Sequence, residues 1–355
     1  MVKISTPGRI CLFGEHQDYL GLPIIAAAIS KRITVQGAKR SDNKILIDLP
    51  DINESEYFEI QNKIPYLKER DYLRSSVNVL TREGYSFSKG MDCKVTGDIP
   101  INSGTSSSSA LITSWINFLV RMSDQSSFLQ PEKIAELAYK AEVLEFSEPG
   151  GIMDHYSTAI GNVIWLESFP EIKIKKYSPR LGAFVLGDSK EPKDTKAILA
   201  RVKYGVLKIL EELKRKYSNF SLHEISSDEL GKFKSDLSDE QFELLVGTIK
   251  NRDFSFSAKK LFESETLDHI KIGSLLNLHQ NVLRDIQKIS TKKIDSMIDT
   301  ALNAGALGAK INGSGGGGCM FAYAPNNPEK VLEAVKKIAS DSFIVNVDEG
   351  TRLEN

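Results

Sequence analysis

IPINSGTSSSSAL, residues 99–111, sets four consecutive serines behind a glycine. Gly/Ser runs behave as flexible coil, which would make this a linker between two halves of the chain. The residues immediately after the serines decide against a linker. In ALITSWINFLVRM the apolar residues Leu111, Ile112, Trp115, Phe118, Leu119 and Met122 recur at helical spacing, so a helix begins inside the serine run. Just upstream, Met91–Val95 reads as a strand. The first turn of a helix carries four N–H groups without intrahelical partners and a partial positive charge. Gly104, Thr105, Ser106, Ser107, Ser108 and Ser109 form a small, close-packing approach to those donors, suited to phosphate oxygens. The competing reading is a serine-rich cap on an ordinary amphipathic helix.

Outward from this stretch, the first third of the chain alternates short apolar runs with turns. Ile24–Ile29, Ile33–Gln36 and Ile45–Leu49 read as strands or buried segments. PEKIAELAYKAEVLEF, opening on Pro131, predicts a helix that breaks at Glu148-Pro149-Gly150-Gly151. IMDHYSTAIG predicts a second helix, and AFVLGDS (183–189) a buried strand. The sequence turns charged and helix-rich after residues 175–180. We therefore expect two domains, 1–178 and 179–355.

Two more constellations carry chemistry. In AKINGSGGGGCMFAYA (309–324) every residue from Gly313 to Gly318 is glycine except Ser314, with β-rich sequence on both sides. Such a loop, Gly315 and Gly316 at its centre, tolerates close approach of a phosphate or substrate to main chain. It fits neither the Walker loop nor the dinucleotide fingerprint. PGRICLFGEHQDYLG (7–21) places Arg9, Glu15, His16 and Asp18 between buried-looking runs. Carboxylates and imidazole suit sugar hydroxyls, and arginine suits phosphate charge.

Composition narrows the field. A net charge of −1 provides no basic field for nucleic acid or an anionic membrane, and neither is expected as a partner. The three cysteines, Cys11, Cys93 and Cys319, are far apart and make no disulfide framework or zinc site. No apolar run approaches the length of a membrane span, and no secretory h-region fits the first fifteen residues. A cytoplasmic protein is expected.

Together, GRICLFGEHQDY, PINSGTSSSSAL, GGIMDHYSTAIG and GALGAKINGSGGGGC resemble, in order and spacing, the signature motifs of the GHMP kinases, and within them most closely the galactokinases. NLHQNVLRDI and the terminal DEGTRLEN are similar to the galactokinase C-terminal half. The resemblance implies an α+β fold. It has an N-terminal domain like ribosomal protein S5 domain 2, a ferredoxin-like C-terminal domain and an active site between them. It implies ATP- and Mg²⁺-dependent phosphorylation of a galactose-like sugar, at the anomeric hydroxyl. Residue by residue, it makes Asp154 the catalytic aspartate and Arg9 its partner on the transferring phosphoryl. Glu142 and Ser108 become the Mg²⁺ ligands, Glu15, His16, Asp18 and Gly151 the sugar site, and Gly104–Ser109 the ATP phosphate loop.

The chain departs from galactokinases at Cys11, in the residues after Tyr19, at His155 directly after Asp154, and across SKEPKDTKAILARVK (189–203). These departures attach to the acceptor. His155 and Lys196 are expected to favour a uronic acid or another galactose-like sugar such as arabinose. A mevalonate-type alcohol kinase, or a sugar- and ATP-binding regulator without catalysis, are the alternatives. Oligomeric state is open between monomer and homodimer.

Overall fold

The computed structural model describes residues 1–101, 103–192, 198 and 200–354. Lys196, tied above to acceptor choice, lies outside the described residues, as does Asn102 within the opening stretch.

Two sheets organise the chain. The larger contains β1 (Val2–Phe13), β2 (Ile24–Lys39), β3 (Lys44–Leu49), β4 (Glu54–Glu59), β5 (Met91–Gly97), β6 (Val163–Glu167) and β7 (Lys173–Tyr177). Its order is β12-β1-β2-β5-β3-β4, where β12 is the two-residue strand Arg352–Leu353, and β6 joins β2 and carries β7. The smaller contains β8 (Phe184–Asp188), β9 (Gly308–Ile311), β10 (Cys319–Tyr323) and β11 (Asp341–Val345), ordered β11-β8-β10-β9 with antiparallel neighbours.

With α8 (Lys292–Asn303) before β9 and α9 (Pro328–Val335) before β11, the second sheet follows the β-α-β-β-α-β ferredoxin-like plan. Three further helices, α5 (Gly205–Lys216), α6 (Asp239–Phe262) and α7 (His269–Asn281), enter between β8 and α8. The terminal segment returns to the first sheet, where β12 pairs with β1 and Val347 bridges Ile29.

The segments expected as separate strands, Ile24–Ile29 and Ile33–Gln36, are one strand, β2. The intervening polar residues are held in place. Arg32 donates to Asp348 Oδ2 at 2.8 Å and to the Gly350 carbonyl at 2.8 Å, so the returning C-terminal segment satisfies what reads as a turn.

The remaining helices are α1 (Tyr72–Arg82), α2 (Ser107–Met122), α3 (Pro131–Tyr139) and α4 (Met153–Ile160). α2 begins where the sequence predicts and buries Ile112, Trp115, Phe118 and Leu119 with Ile4 and Val35 of the first sheet. A second core joins the two sheets, packing Ile10, Phe13 and Trp165 with Phe184, Leu186, Phe321 and Tyr323. The end of β1, the start of α2 and the β9–β10 connection are thereby brought together.

Candidate active site

A cavity of 850 Å³ is lined by residues from all the motif segments: Arg9, Glu15, His16, Asp18 and Tyr19, the serine loop, Glu142, most of residues 148–155, Asp188 and Lys190 to Pro192, and Gly313, Ser314 and Gly318.

At the serine loop, Ser106 occupies the position before α2 with φ 61° and ψ 42°, a left-handed conformation, and makes no side-chain cap. A helix-capping serine ordinarily takes extended backbone and accepts from the first turn. The plain-cap reading therefore fails, and the first-turn donors are left at the cavity, where Ser107, Ser108 and Ser109 line the wall. Thr105 turns inward instead. It is fully buried, and its Oγ1 lies 2.8 Å from Ser103 Oγ.

Across the cavity the second glycine loop meets the first. A Cβ at Gly313 (φ 78°) would come within 3.0 Å of the Gly104 carbonyl, so only glycine lets the two loops touch without displacement. Asn312 fastens the contact, donating Nδ2–H to that carbonyl at 2.8 Å while accepting from Cys11 N at 2.9 Å. Gly315 and Gly316, expected against phosphate, do not line the cavity. Gly316 N donates to the Ile289 carbonyl at 2.7 Å, and a Cβ at Gly315 would lie 2.6 Å from Ile289 Cβ.

Arg9 and Asp154 meet at the floor. Nε and Nη2 of Arg9 donate to Asp154 Oδ1 at 2.8 and 2.7 Å, and Nη1 donates to the Gly104 carbonyl. One guanidinium thus joins the carboxylate to the serine loop. Burial pushes the Asp154 carboxyl up, but the charge and hydrogen bonds of Arg9 outweigh it and hold the group below its usual range. Asp18 goes the other way. Burial raises it, against the Met153 N–H that it accepts at 3.1 Å, and the nearby Asp154 charge adds to the rise. Two neighbouring carboxylates are therefore driven apart in acidity, a pattern that separates roles at reactive sites.

His16 has φ 59° and both ring nitrogens engaged, Nδ1 3.0 Å from Tyr19 Oη and Nε2 3.0 Å from the Ser314 carbonyl. Burial lowers its pKa to about 4. The ring is then neutral near pH 7. Because a carbonyl only accepts, Nε2–H donates to Ser314 and Nδ1 accepts from Tyr19.

Glu15, expected to hold a hydroxyl, is 1% exposed. Its Oε1 accepts from Lys310 Nζ, and its Oε2 lies 3.8 Å from His279 Nε2 without a hydrogen bond. Lys310 is fully buried and also donates to the carbonyls of Cys11 at 3.0 Å and Ile311 at 2.9 Å.

Sequence reasoning missed Lys310 and Asn312. The available signal was a lysine inside a short strand otherwise read as buried. It also missed Asp188, whose Oδ1 accepts from Lys190 N at 2.8 Å and whose Oδ2 is 3.2 Å from Lys190 Nζ.

Glu142 lies in a widened, π-type turn (Lys140–Leu144) that interrupts the long helix expected from residue 131. Such turns recur at functional sites because they re-aim side chains. Among the described residues no three His, Cys, Asp or Glu side chains gather into a metal cage. One carboxylate (Glu142) and one hydroxyl (Ser108) on the same cavity suit Mg²⁺, which takes few protein ligands beside phosphate oxygens. No described helix is long and apolar enough to cross a membrane.

Family models match in three places: "GHMP kinases N terminal domain" over residues 71–162, "GHMP kinases C terminal" over 258–341, and "Galactokinase galactose-binding signature" over 2–39. A mevalonate kinase of Pyrococcus furiosus is 30% identical, covering 99% of this chain and 98% of its own length. A galactokinase of the same organism is 28% identical, covering 93% and 91%. The solved structure of Lactococcus lactis galactokinase complexed with galactose superposes with a TM-score of 0.87 at 22% identity, covering 99% of this chain and 94% of that one.

Proposed function

From the GHMP kinase family, to which this chain belongs, we propose an ATP- and Mg²⁺-dependent kinase that phosphorylates a galactose-like sugar at the anomeric hydroxyl. Kinases of this family transfer phosphoryl groups from ATP to alcohols. The relatives divide between mevalonate and galactose as acceptor, so the choice falls to the site's chemistry.

One observation carries the choice. Among the described residues, each cation lining the cavity is already committed within the chain: Arg9 to Asp154, Arg70 to Glu148 and Lys190 to Asp188. His16 is neutral, and the acceptor end presents Asp18. A carboxylate-bearing acceptor such as mevalonate or a uronic acid would face the Asp18 carboxylate, with Lys203, bonded to the Pro149 carbonyl at 2.8 Å and lying over the Tyr19 ring, as a nearby cation that has no carboxylate partner among the described residues. A neutral polyol brings donors that Asp18 can accept. Of the two residues from which a uronic acid was expected, His155 is tied to Glu142, and Lys196 lies outside the described residues.

Phosphoryl transfer passes through a loose transition state in which positioning and charge neutralisation dominate. Asp154, held ionised by Arg9, accepts from and orients the attacking hydroxyl. Arg9, fixed between Asp154 and the phosphate loop, is placed to stabilise charge on the transferring group. Asp18 anchors the sugar, with Gly151 leaving it room. The amides at the start of α2 hold phosphate, and Glu142 and Ser108 hold Mg²⁺, which neutralises phosphate charge when bound. The two-domain division at 178/179, with the last strand returned to the first sheet, belongs to the same proposal.

A coupled ADP-release assay over a panel of galactose, arabinose, galacturonate and mevalonate tests the reading. Turnover with a neutral galactose-type sugar supports it, and preference for either acid contradicts it.

A further inference from the structure

Glu142 does not stand alone. Its Oε2 lies 2.7 Å from His155 Nε2, and the two residues are 7% and 1% exposed. A carboxylate oxygen accepts, so Nε2 carries the proton and donates. Among the described residues, His155 Nδ1 is buried with no hydrogen-bond partner, and the bond to Glu142 is the one polar tie of the ring. A histidine retained for packing alone would leave no such cost; an unsatisfied buried nitrogen asks for a reason. Tyr139 meets the ring edge-on, with centroids 5.5 Å apart and planes at 74°, and restricts its rotation. The consecutive residues Asp154 and His155 thus divide in role, one reaching Arg9 at the cavity floor and the other reaching Glu142.

We propose that His155 is a positioning residue for the divalent cation: by holding Oε2 of Glu142 it fixes the carboxylate and leaves Oε1 for the metal. The proposal rests on the Mg²⁺-dependent kinase reading above. It moves His155 away from acceptor choice, where the sequence had placed it. Partners that orient a metal-binding carboxylate typically change metal affinity by about 10–100-fold when removed.

Mn²⁺ titrations of the ADP complex, followed by the paramagnetic resonance of free Mn²⁺, test this without turnover. His155→Leu is expected to weaken Mn²⁺ binding about tenfold or more, with ADP affinity in EDTA unchanged. His155→Gln keeps an N–H donor and is expected to retain most of the affinity. In a Glu142→Gln background, His155→Leu is expected to add nothing. Wild-type Mn²⁺ affinity in His155→Leu would overturn the proposal. So would equal losses in His155→Leu and His155→Gln, or an undiminished effect in the Glu142→Gln background. Should His155→Leu not fold, His155→Met supplies the apolar variant and the Gln comparison still decides. A wild-type protein that binds no Mn²⁺ with ADP would instead overturn the kinase reading itself.

Discussion

Asp18 fills the space that a side chain at position 151 would need: a Cβ built on Gly151 would lie 1.8 Å from Asp18 Oδ2. The glycine is therefore required by the carboxylate beside it, more than by any turn. Gly151→Ala should push Asp18 off its Met153 N–H and lower kcat/KM for the acceptor by on the order of 10²-fold. Nucleotide affinity should be unchanged. An unaltered acceptor KM and kcat would mean that Asp18 does not touch the acceptor.

Arg9→Met should reduce kcat by roughly 10²–10³-fold. It should also move the acid limb of the pH–rate profile upward, because the main opposition to burial at Asp154 would then be gone. Stability moves in the same sense. In the native protein the lowered Asp154 pKa contributes stability that is present above the unfolded carboxyl value. That stability is lost as pH falls through the folded one. Urea midpoints of wild type and Arg9→Met between pH 3 and 7 should therefore converge at the acid end.

His16 predicts acid sensitivity at higher pH. Its pKa is lowered by burial from 6.5 to about 4, so the unfolded chain binds the proton first on acidification. Its contribution is complete above about 6.5 and is lost as pH falls toward about 4, a change of about 3 kcal/mol. Buried His279, lowered in the same direction, adds to it. His16→Gln should flatten the dependence of urea midpoint on pH between 7 and 5, and an equally steep dependence would assign the effect elsewhere.

Lys310 and Glu15 form a fully buried ion pair, and removing one partner leaves a charge in a dry site. Lys310→Met should cost roughly 3–5 kcal/mol of stability. Adding Glu15→Gln should recover part of that loss. A Lys310→Met variant as stable as wild type in urea would show that Glu15 finds another partner.

The parts legible in sequence were those set by local pattern. The period of Leu111 to Met122 located α2, and the glycines marked both loops. What escaped was set by distant chain. Lys310 reaches Glu15 across 295 positions of sequence, and Arg32 looks like a turn residue until the segment around Asp348 covers it. Asn312 reads as loop, yet it fastens Gly104 to β1. Gly315 and Gly316 show the opposite error. Glycine content signals freedom of backbone, but which glycines face the cavity depends on the contact with Ile289.

The acceptor assay bears most directly on the whole account. ADP release should depend on a neutral galactose-type sugar, fall to background in Asp154→Asn, and stay at background with mevalonate. Sugar-independent release with mevalonate as the preferred acceptor, or sugar and ATP binding without any turnover, would contradict it.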